Sequence, residues 1–360
     1  MLFRWLFGKW LRRVSDVQPA SYGGVAAGAR PLEPDAPAPA FVPKRWEMPS
    51  ELVGFHRLEG FDLPVASLRA LSTRLARIPR PPEDAAHLLS EDFLQRATAA
   101  ELAEAILAHP HIAARMLAVV NAPFYGLAKP VTDLQQAITY LGLDTVRAVA
   151  VQCLLGDALA PADPRLKPLF DRWWRASALA SQLCLRLGRR VGVSDPGAMV
   201  TLAVLSFVGH MAALSLRDPQ HTLRDASLDF LDRTRAEQDE LGLCAGELGC
   251  LMMAEWNMPP AIVENVRAID RILVMAPRQM DPEQGLRTAL TYYCTRVAER
   301  YASGTWTRPE QATPGELDGA EFYQLQTHFM IQPRMARLAA DFQNEAFRAE
   351  FDGWVRAALS

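Results

Sequence analysis

The 360-residue sequence has none of the features that would assign it to a class at once. It has only five cysteines and no C-x-x-C pair, so we expect reduced, buried thiols and no disulfide framework or structural zinc site. Its formal net charge of −3 provides no overall attraction for nucleic acid. It also has no G-x-x-x-x-G-K-[ST] or G-x-G-x-x-G run to bind a phosphate. We therefore predict no cofactor and no nucleic-acid partner.

We also predict no cleavable signal peptide and no membrane-spanning segment. Arg4 and Lys9 interrupt the apolar stretch at the N-terminus, and no small-residue cleavage site follows at the right distance. Residues 197–215 carry no formal charge and are long enough to cross a bilayer, but they contain Gly209 and His210 and lie between helices of soluble character. We interpret this segment as a central helix buried by protein, and the predicted location is the cytoplasm.

Residues 1–13 are predicted to form an amphipathic helix, with basic residues opposite an apolar face. The apolar face consists of Phe3, Leu6, Phe7, Trp10 and Leu11. Such a helix can place its rings among lipid headgroups and its cations against anionic lipid, which would make the protein peripheral to the inner membrane. The same face could instead dock on its own domain or on a partner protein, and both interpretations stay open.

The rest of the chain is predicted to be a linker followed by helices. Residues 14–45 alternate Pro with Ala and Gly and have no apolar period, which is typical of an extended linker. From about residue 50 the apolar period is helical, and no strand alternation with hairpin turns occurs. The predicted helices span residues 98–107, 112–120, 132–141, 144–156, 168–187, 196–216, 236–255, 259–275, 284–302 and 334–358. Capping boxes formed by Thr98 with Glu101 and by Thr132 with Gln135 begin two of them, and the second of these ends at Gly142.

The predicted fold class is all-α. A compact multi-helix domain is expected over residues 50–302, and a polar loop with C-terminal helices over residues 303–360. Those last helices could pack on the domain or bind a partner, and their sequence does not distinguish the two.

Four motifs occur in an order that resembles a known family. Residues 117–126 read LAVVNAPFYG and residues 136–142 read QAITYLG; residues 174–177 (WRAS) and 256–259 (WNMP) follow. Together they resemble the signatures of HDOD domains, over about residues 65–275. The resemblance implies a compact helical bundle related to HD-type metal-dependent phosphohydrolases and a role in bacterial signal transduction.

The same resemblance identifies where the metal ligands of HD-type phosphohydrolases would stand. The motif that usually reads L-H-D-I-G corresponds to residues 205–209, so Ser206 and Phe207 replace its His and Asp. Ala245 replaces a later His, and Ile269 and Asp270 replace the closing His pair. Catalytic divalent cations need several imidazole and carboxylate ligands, and among these positions only Asp270 could ligate. The resemblance therefore implies a non-catalytic module with no metal, which acts through a protein partner or an unidentified ligand.

Two alternatives stay open at this point. His210 and Glu247 could form a rebuilt metal site in a divergent phosphohydrolase or cyclic-nucleotide phosphodiesterase, although a single His in an apolar helix is more often a core residue. Alternatively, the old cavity could bind a nucleotide without hydrolysing it.

The loop that contains Asn121, Tyr125 and Gly126 also allows two interpretations. Asn121 can cap the end of a buried helix, and Gly126 can provide a positive φ in the turn. Alternatively, the three residues form a recognition surface for a partner.

Overall fold

The computed structural model describes residues 47–81, 93, 96–121, 131–276, 280–329 and 332–359, and these residues form helices and connecting turns with no β-strand among them. The α-helices are α1 (Val65–Leu75), α2 (Ala99–Leu107), α3 (Pro110–Val120), α4 (Leu134–Leu141), α5 (Leu143–Ala158), α6 (Lys167–Arg190), α7 (Pro196–Ser206), α8 (Val208–Leu216), α9 (Pro219–Arg224), α10 (Phe230–Leu241), α11 (Ala245–Glu255), α12 (Pro260–Arg271), α13 (Pro282–Ala302), α14 (Tyr323–Phe329), α15 (Pro333–Asp341) and α16 (Glu345–Leu359). The predicted all-α class is confirmed.

The helix ends follow local signals in the sequence. At the start of α2, the Thr98 hydroxyl accepts a hydrogen bond from the Glu101 N–H, and the Glu101 carboxylate accepts one from the Thr98 N–H, which is the predicted capping box. The cap of α4 is Asp133, one residue later than the predicted Thr132. α4 ends at Gly142, whose φ of 84° favours glycine.

Two predicted helices are interrupted in the structure. The predicted helix 236–255 is divided between α10 and α11, because the chain turns at Gly242 with a left-handed φ of 84°. The predicted helix 196–216 is divided into α7 and α8 by a turn at Phe207. The apolar period alone shows neither break.

The centre of the domain is formed by α6, α7 and α13, which pack closely on one another. Pro196–Leu216, the combined span of α7 and α8, is the one segment of the described residues that is long and apolar enough to cross a membrane, and 89% of its apolar window is buried inside the protein. This burial matches the predicted central helix. All five cysteines lie in the described part of the chain and are buried there, and no disulfide joins them.

α8 and α11 touch through their backbones. A Cβ atom at Gly209 would lie 1.7 Å from the carbonyl oxygen of Ala245, and one at Gly249 would lie 2.7 Å from the backbone nitrogen of Gly209. Only glycine allows this approach, which brings together the helices that carry His210 and Glu247.

The C-terminal helices pack on the domain, which resolves a question that the sequence left open. α16 lies against α6, where the Arg186 guanidinium stands 4.9 Å from the centre of the Trp354 ring. The Arg190 side chain donates two hydrogen bonds to Asp341, of 2.6 and 2.9 Å. The predicted boundary between residues 302 and 303 stays a prediction.

Candidate functional site

Ser206 and Phe207 stand at the junction of α7 and α8, and neither offers a metal ligand. The Ser206 hydroxyl is buried and donates a 2.8 Å hydrogen bond to the Ala203 carbonyl. The Phe207 ring is fully buried and lies 6.2 Å from the Trp173 ring and 5.9 Å from the His210 ring, between centroids. Apolar packing therefore occupies this corner of the predicted site.

Ala245 and Ile269 are buried apolar residues, so Asp270 is the one acid among the five positions. The Asp270 carboxylate lies against α11, where a Cβ at Gly246 would come within 2.0 Å of its Oδ2 atom. Burial raises the pKa of Asp270, although Arg296 and Arg57 oppose that shift. A buried acid of this kind needs a cation nearby.

That cation is Arg296 of α13. Its side chain is 1% exposed, and its Nη2 atom lies 3.9 Å from Asp270 Oδ1. Its Nη1 atom lies 2.9 Å from Glu299 Oε2, and its guanidinium stands 3.7 Å from the centre of the Phe230 ring. The charge beside Asp270 therefore belongs to the chain itself.

His210 lies in an aromatic environment. Its ring stacks on Trp173, with 5.0 Å between centroids and 23° between planes. Burial, together with Arg233 and Arg296, lowers the pKa of His210 well below its ordinary value, so the imidazole is neutral. The charged groups that act on it are Arg233, Arg296, Glu299 and Arg172.

Glu247 belongs to a different group of residues. Its Oε1 atom accepts a 3.2 Å hydrogen bond from the Gly60 N–H, and its Oε2 atom accepts a 2.9 Å hydrogen bond from Arg267. Arg57 Nη2 lies 3.7 Å from Oε2. Both oxygens are therefore engaged away from His210, and these contacts do not support a joint metal site for the two residues.

Two groups of charged residues can now be defined. The Glu247 cluster joins the segment before α1 to α11 and α12, and it contains Arg57, Glu59, Glu247, Glu264, Arg267 and Arg271. The His210 cluster joins α6, α8, α10 and α13, and it contains Arg172, His210, Arg233, Arg296 and Glu299.

The sequence analysis missed the arginines of the His210 cluster. A signal was present, because Arg233 and Arg296 stand three and four residues after Phe230 and Tyr292, on the apolar faces of their helices. An arginine at such a position must be ion-paired or ligand-bound when the helix is buried.

Asn121 fits the structural interpretation of its loop. Its side-chain nitrogen donates hydrogen bonds of 2.8 Å to the carbonyls of Leu117 and Val131, and its oxygen accepts one of 2.7 Å from the Val131 N–H. It thereby caps α3 and fixes the start of the segment that leads to α4. Tyr125 and Gly126 lie outside the described residues, as do the apolar residues predicted for the first helix, Phe3, Leu6, Phe7, Trp10 and Leu11.

The donor set does not fit the metal centre of an HD-type phosphohydrolase. Within the ranges that the structure describes, no three His, Cys, Asp or Glu side chains come together in an arrangement that could hold a metal ion. All five aligned positions belong to those ranges, and four of them carry side chains that cannot serve as such ligands.

Comparison with known proteins agrees with this fold. The family model of the HDOD domain matches residues 78–272. An HDOD domain protein of unknown function from Geobacter sulfurreducens is similar in structure, with a TM-score of 0.52, 16% identity, and coverage of 79% of this chain and 98% of that one.

Two further structures are similar. A provisionally named phosphohydrolase from Shewanella amazonensis has a TM-score of 0.51 and 18% identity, with 75% of this chain and 98% of that chain covered. A provisionally named signal transduction protein from Marinobacter aquaeolei has a TM-score of 0.51 and 18% identity, with 81% and 66% covered. At these identities the likeness concerns the fold. No curated protein matches the chain.

Proposed function

Because the chain belongs to the HDOD domain family, we propose that it is a non-catalytic regulatory module of a bacterial signalling pathway. It acts in the cytoplasm through contact with a protein partner. A signalling context agrees with the name of the similar protein from Marinobacter aquaeolei. The observation that carries the proposal is the Arg296 guanidinium, which lies 3.9 Å from Asp270 where the family resemblance would place the metal of a phosphohydrolase.

The chemistry of metal-dependent hydrolysis explains why Arg296 beside Asp270 favours a non-catalytic module. Such an enzyme lowers the pKa of a bound water and neutralises the phosphate, and both effects need a cation held by several ligands with an open position. Ser206, Phe207, Ala245 and Ile269 provide no such ligands, and the guanidinium beside Asp270 repels a divalent cation. A guanidinium has no open coordination position, so it cannot activate water in the same way.

Elemental analysis tests this proposal. Protein purified from medium supplemented with manganese, iron and zinc should contain less than about a tenth of a metal ion per chain, because one carboxylate does not hold a divalent cation tightly. Asp270→Asn should leave that content unchanged. One or two tightly held metals per chain, lost in the Asp270→Asn variant, would contradict the proposal and favour a phosphohydrolase.

The proposal includes two contact surfaces of the protein. The loop that contains Asn121, Tyr125 and Gly126 contacts a protein partner, and the helix of residues 1–13 makes a weak contact with the membrane. The helix is supported by its sequence pattern alone. Deletion of residues 1–13 should abolish flotation of the protein with anionic liposomes. Equal flotation of the full chain and the truncated chain would contradict the lipid contact.

A further inference from the structure

A cleft opens beside the His210 cluster, between α6, α8 and α10. Arg172, Trp173, His210 and Arg233 line it together with two acids, Asp225 and Glu237, and it is partly open to solvent. A second cleft shares Arg172, Ala226 and Arg233 with the first, so the two adjoin. None of the five positions aligned with metal ligands lines either cleft.

Several hydrogen-bond donors of this cleft have no acceptor within the described residues. They are Nε and Nη2 of Arg233, Nε of Arg172 and the ring nitrogens of His210, one of which carries the proton of the neutral imidazole. Arg233 is 5% exposed and His210 is 2% exposed. Buried donors are almost always matched in folded proteins, and an unmatched guanidinium is especially unfavourable. These donors therefore indicate an acceptor that the described residues do not provide.

Two guanidinium groups line the cleft. Those of Arg172 and Arg233 lie 4.9 and 4.8 Å from the centre of the Trp173 ring. Burial and then the charge of Arg233 lower the pKa of Arg172. Arg172 donates a 2.9 Å hydrogen bond to the Ala226 carbonyl, and among the described residues no carboxylate lies within 4 Å of it. An anion between the two groups would remove their repulsion.

The carboxylates near the cleft are already engaged. Glu299 pairs with Arg233 and Arg296. Glu237 accepts a 2.7 Å hydrogen bond from the backbone of α11, and its Oε1 atom is 3.8 Å from Arg233 Nε, too far for a hydrogen bond. Asp225 pairs with two further arginines, and Asp229 caps α10.

We propose that this cleft binds a tetrahedral oxyanion, either free phosphate or the phosphate of a phosphomonoester, between the guanidinium groups of Arg172 and Arg233. The planar fork of arginine donates paired hydrogen bonds to phosphate oxygens, and the imidazole N–H of His210 provides a further donor. The proposed anion site is independent of the proposed partner contact, which requires no ligand. Failure to find a protein partner would therefore not contradict the anion site.

Thermal unfolding of the full chain with sodium phosphate tests the site, with sodium chloride of equal ionic strength as the reference. A ligand that binds only the native state raises Tm, by about 4 °C at a hundred times its Kd for a chain of this size. Arg172→Gln should weaken phosphate binding at least about tenfold, since it removes charge-assisted hydrogen bonds. Arg172 is partly exposed, so this variant should fold.

Arg175→Gln is the matched control, because Arg175 is an exposed arginine of the same helix that does not line the cleft. It should bind phosphate as the unmodified protein does. No saturable rise in Tm above the chloride reference, or equal binding by the two variants, would overturn the proposal. If Arg172→Gln does not fold, Arg172→Lys replaces it, and the loss of paired hydrogen bonds should still weaken binding.

Titration with glycerol 3-phosphate distinguishes the sources of the oxyanion. Tighter binding than that of inorganic phosphate indicates a phosphomonoester whose organic part reaches the second cleft. Equal or weaker binding indicates free phosphate.

Discussion

The Glu247 cluster and the His210 cluster each have a buried centre and three arginines, and they lie on helices in direct contact, yet their charges are balanced differently. The Glu247 cluster has three arginines and three glutamates, joined by close ion pairs such as Arg267–Glu247 at 2.9 Å and Arg271–Glu59 at 2.6 Å. The His210 cluster has three arginines and one glutamate.

The other acids near the His210 cluster do not balance its excess positive charge. Glu237 and Asp270 approach Arg233 and Arg296 only to 3.8 and 3.9 Å. The balance of positive and negative charge in the Glu247 cluster indicates a structural connection, although Nε and Nη2 of Arg57 have no hydrogen-bond acceptor among the described residues. This connection fastens the segment before α1 to α11 and α12. In the His210 cluster the positive charge exceeds the negative charge, which is typical of a site that binds an anion.

The largest expected effect comes from removal of the central charge of the Glu247 cluster. Glu247→Gln removes the buried carboxylate that Arg57 and Arg267 share, and it leaves Glu59 and the partly exposed Glu264 to balance them. This loss should lower the free energy of unfolding by about 3–5 kcal/mol. Urea denaturation measures the change. Glu264→Gln is the control, since the Glu264 side chain is 37% exposed and its loss should lower stability by less than about 1 kcal/mol. Similar losses in the two variants would mean that the cluster is not a structural connection.

The next effect concerns the single acid of the His210 cluster. Burial alone would raise the pKa of Glu299, but Arg233 and Arg296 outweigh burial and lower it from 4.5 to about 2. A lowered pKa stabilises the fold above pH 4.5, and this stabilisation, about 3 kcal/mol, is lost as the pH falls from 4.5 to 2.

We therefore expect the stability difference between the unmodified protein and Glu299→Gln to be largest at neutral pH. It should shrink through that acidic window when unfolding is followed in urea at several pH values. A difference that does not change with pH would show that Glu299 does not carry the matching charge.

The smallest effect tests the contact between the helices that carry the two clusters. Gly209→Ala places a Cβ against the Ala245 carbonyl and should lower the free energy of unfolding by about 1–3 kcal/mol, because α8 and α11 must separate. Gly353→Ala in α16 is the control: a Cβ there meets nothing within 4 Å, and alanine should stabilise the helix by up to about 1 kcal/mol. A neutral Gly209→Ala would mean that the two helices are free to move apart.

The sequence predicted those parts of the fold that depend on local signals. The cap at Thr98, the turn at Gly142 and the buried span of α7 and α8 follow from a few neighbouring residues each. The break at Gly242 was missed, because a glycine within a helical period can be tolerated or can end the helix, and the outcome depends on packing.

The candidate site was predictable only where a motif identified it. Ser206, Phe207, Ala245, Ile269 and Asp270 follow from alignment to a family pattern. The three arginines of the His210 cluster, Arg172, Arg233 and Arg296, lie on three helices and are about sixty residues apart in the sequence. No local sequence pattern predicts that they lie close together. A joint site of His210 and Glu247 was an alternative that the sequence left open, but hydrogen bonds from Gly60 and Arg267 hold Glu247 away from His210.

Arg296 has a consequence for how this domain depends on its surroundings. A metal ion is acquired from solution and can be removed by a chelator or displaced by a competing ion, whereas a guanidinium is encoded in the gene and stays protonated at any physiological pH. The positive charge beside Asp270 is therefore present as soon as the chain is synthesised. We therefore expect a domain built in this way to reach its folded state independently of the supply of manganese, iron or zinc in the cell.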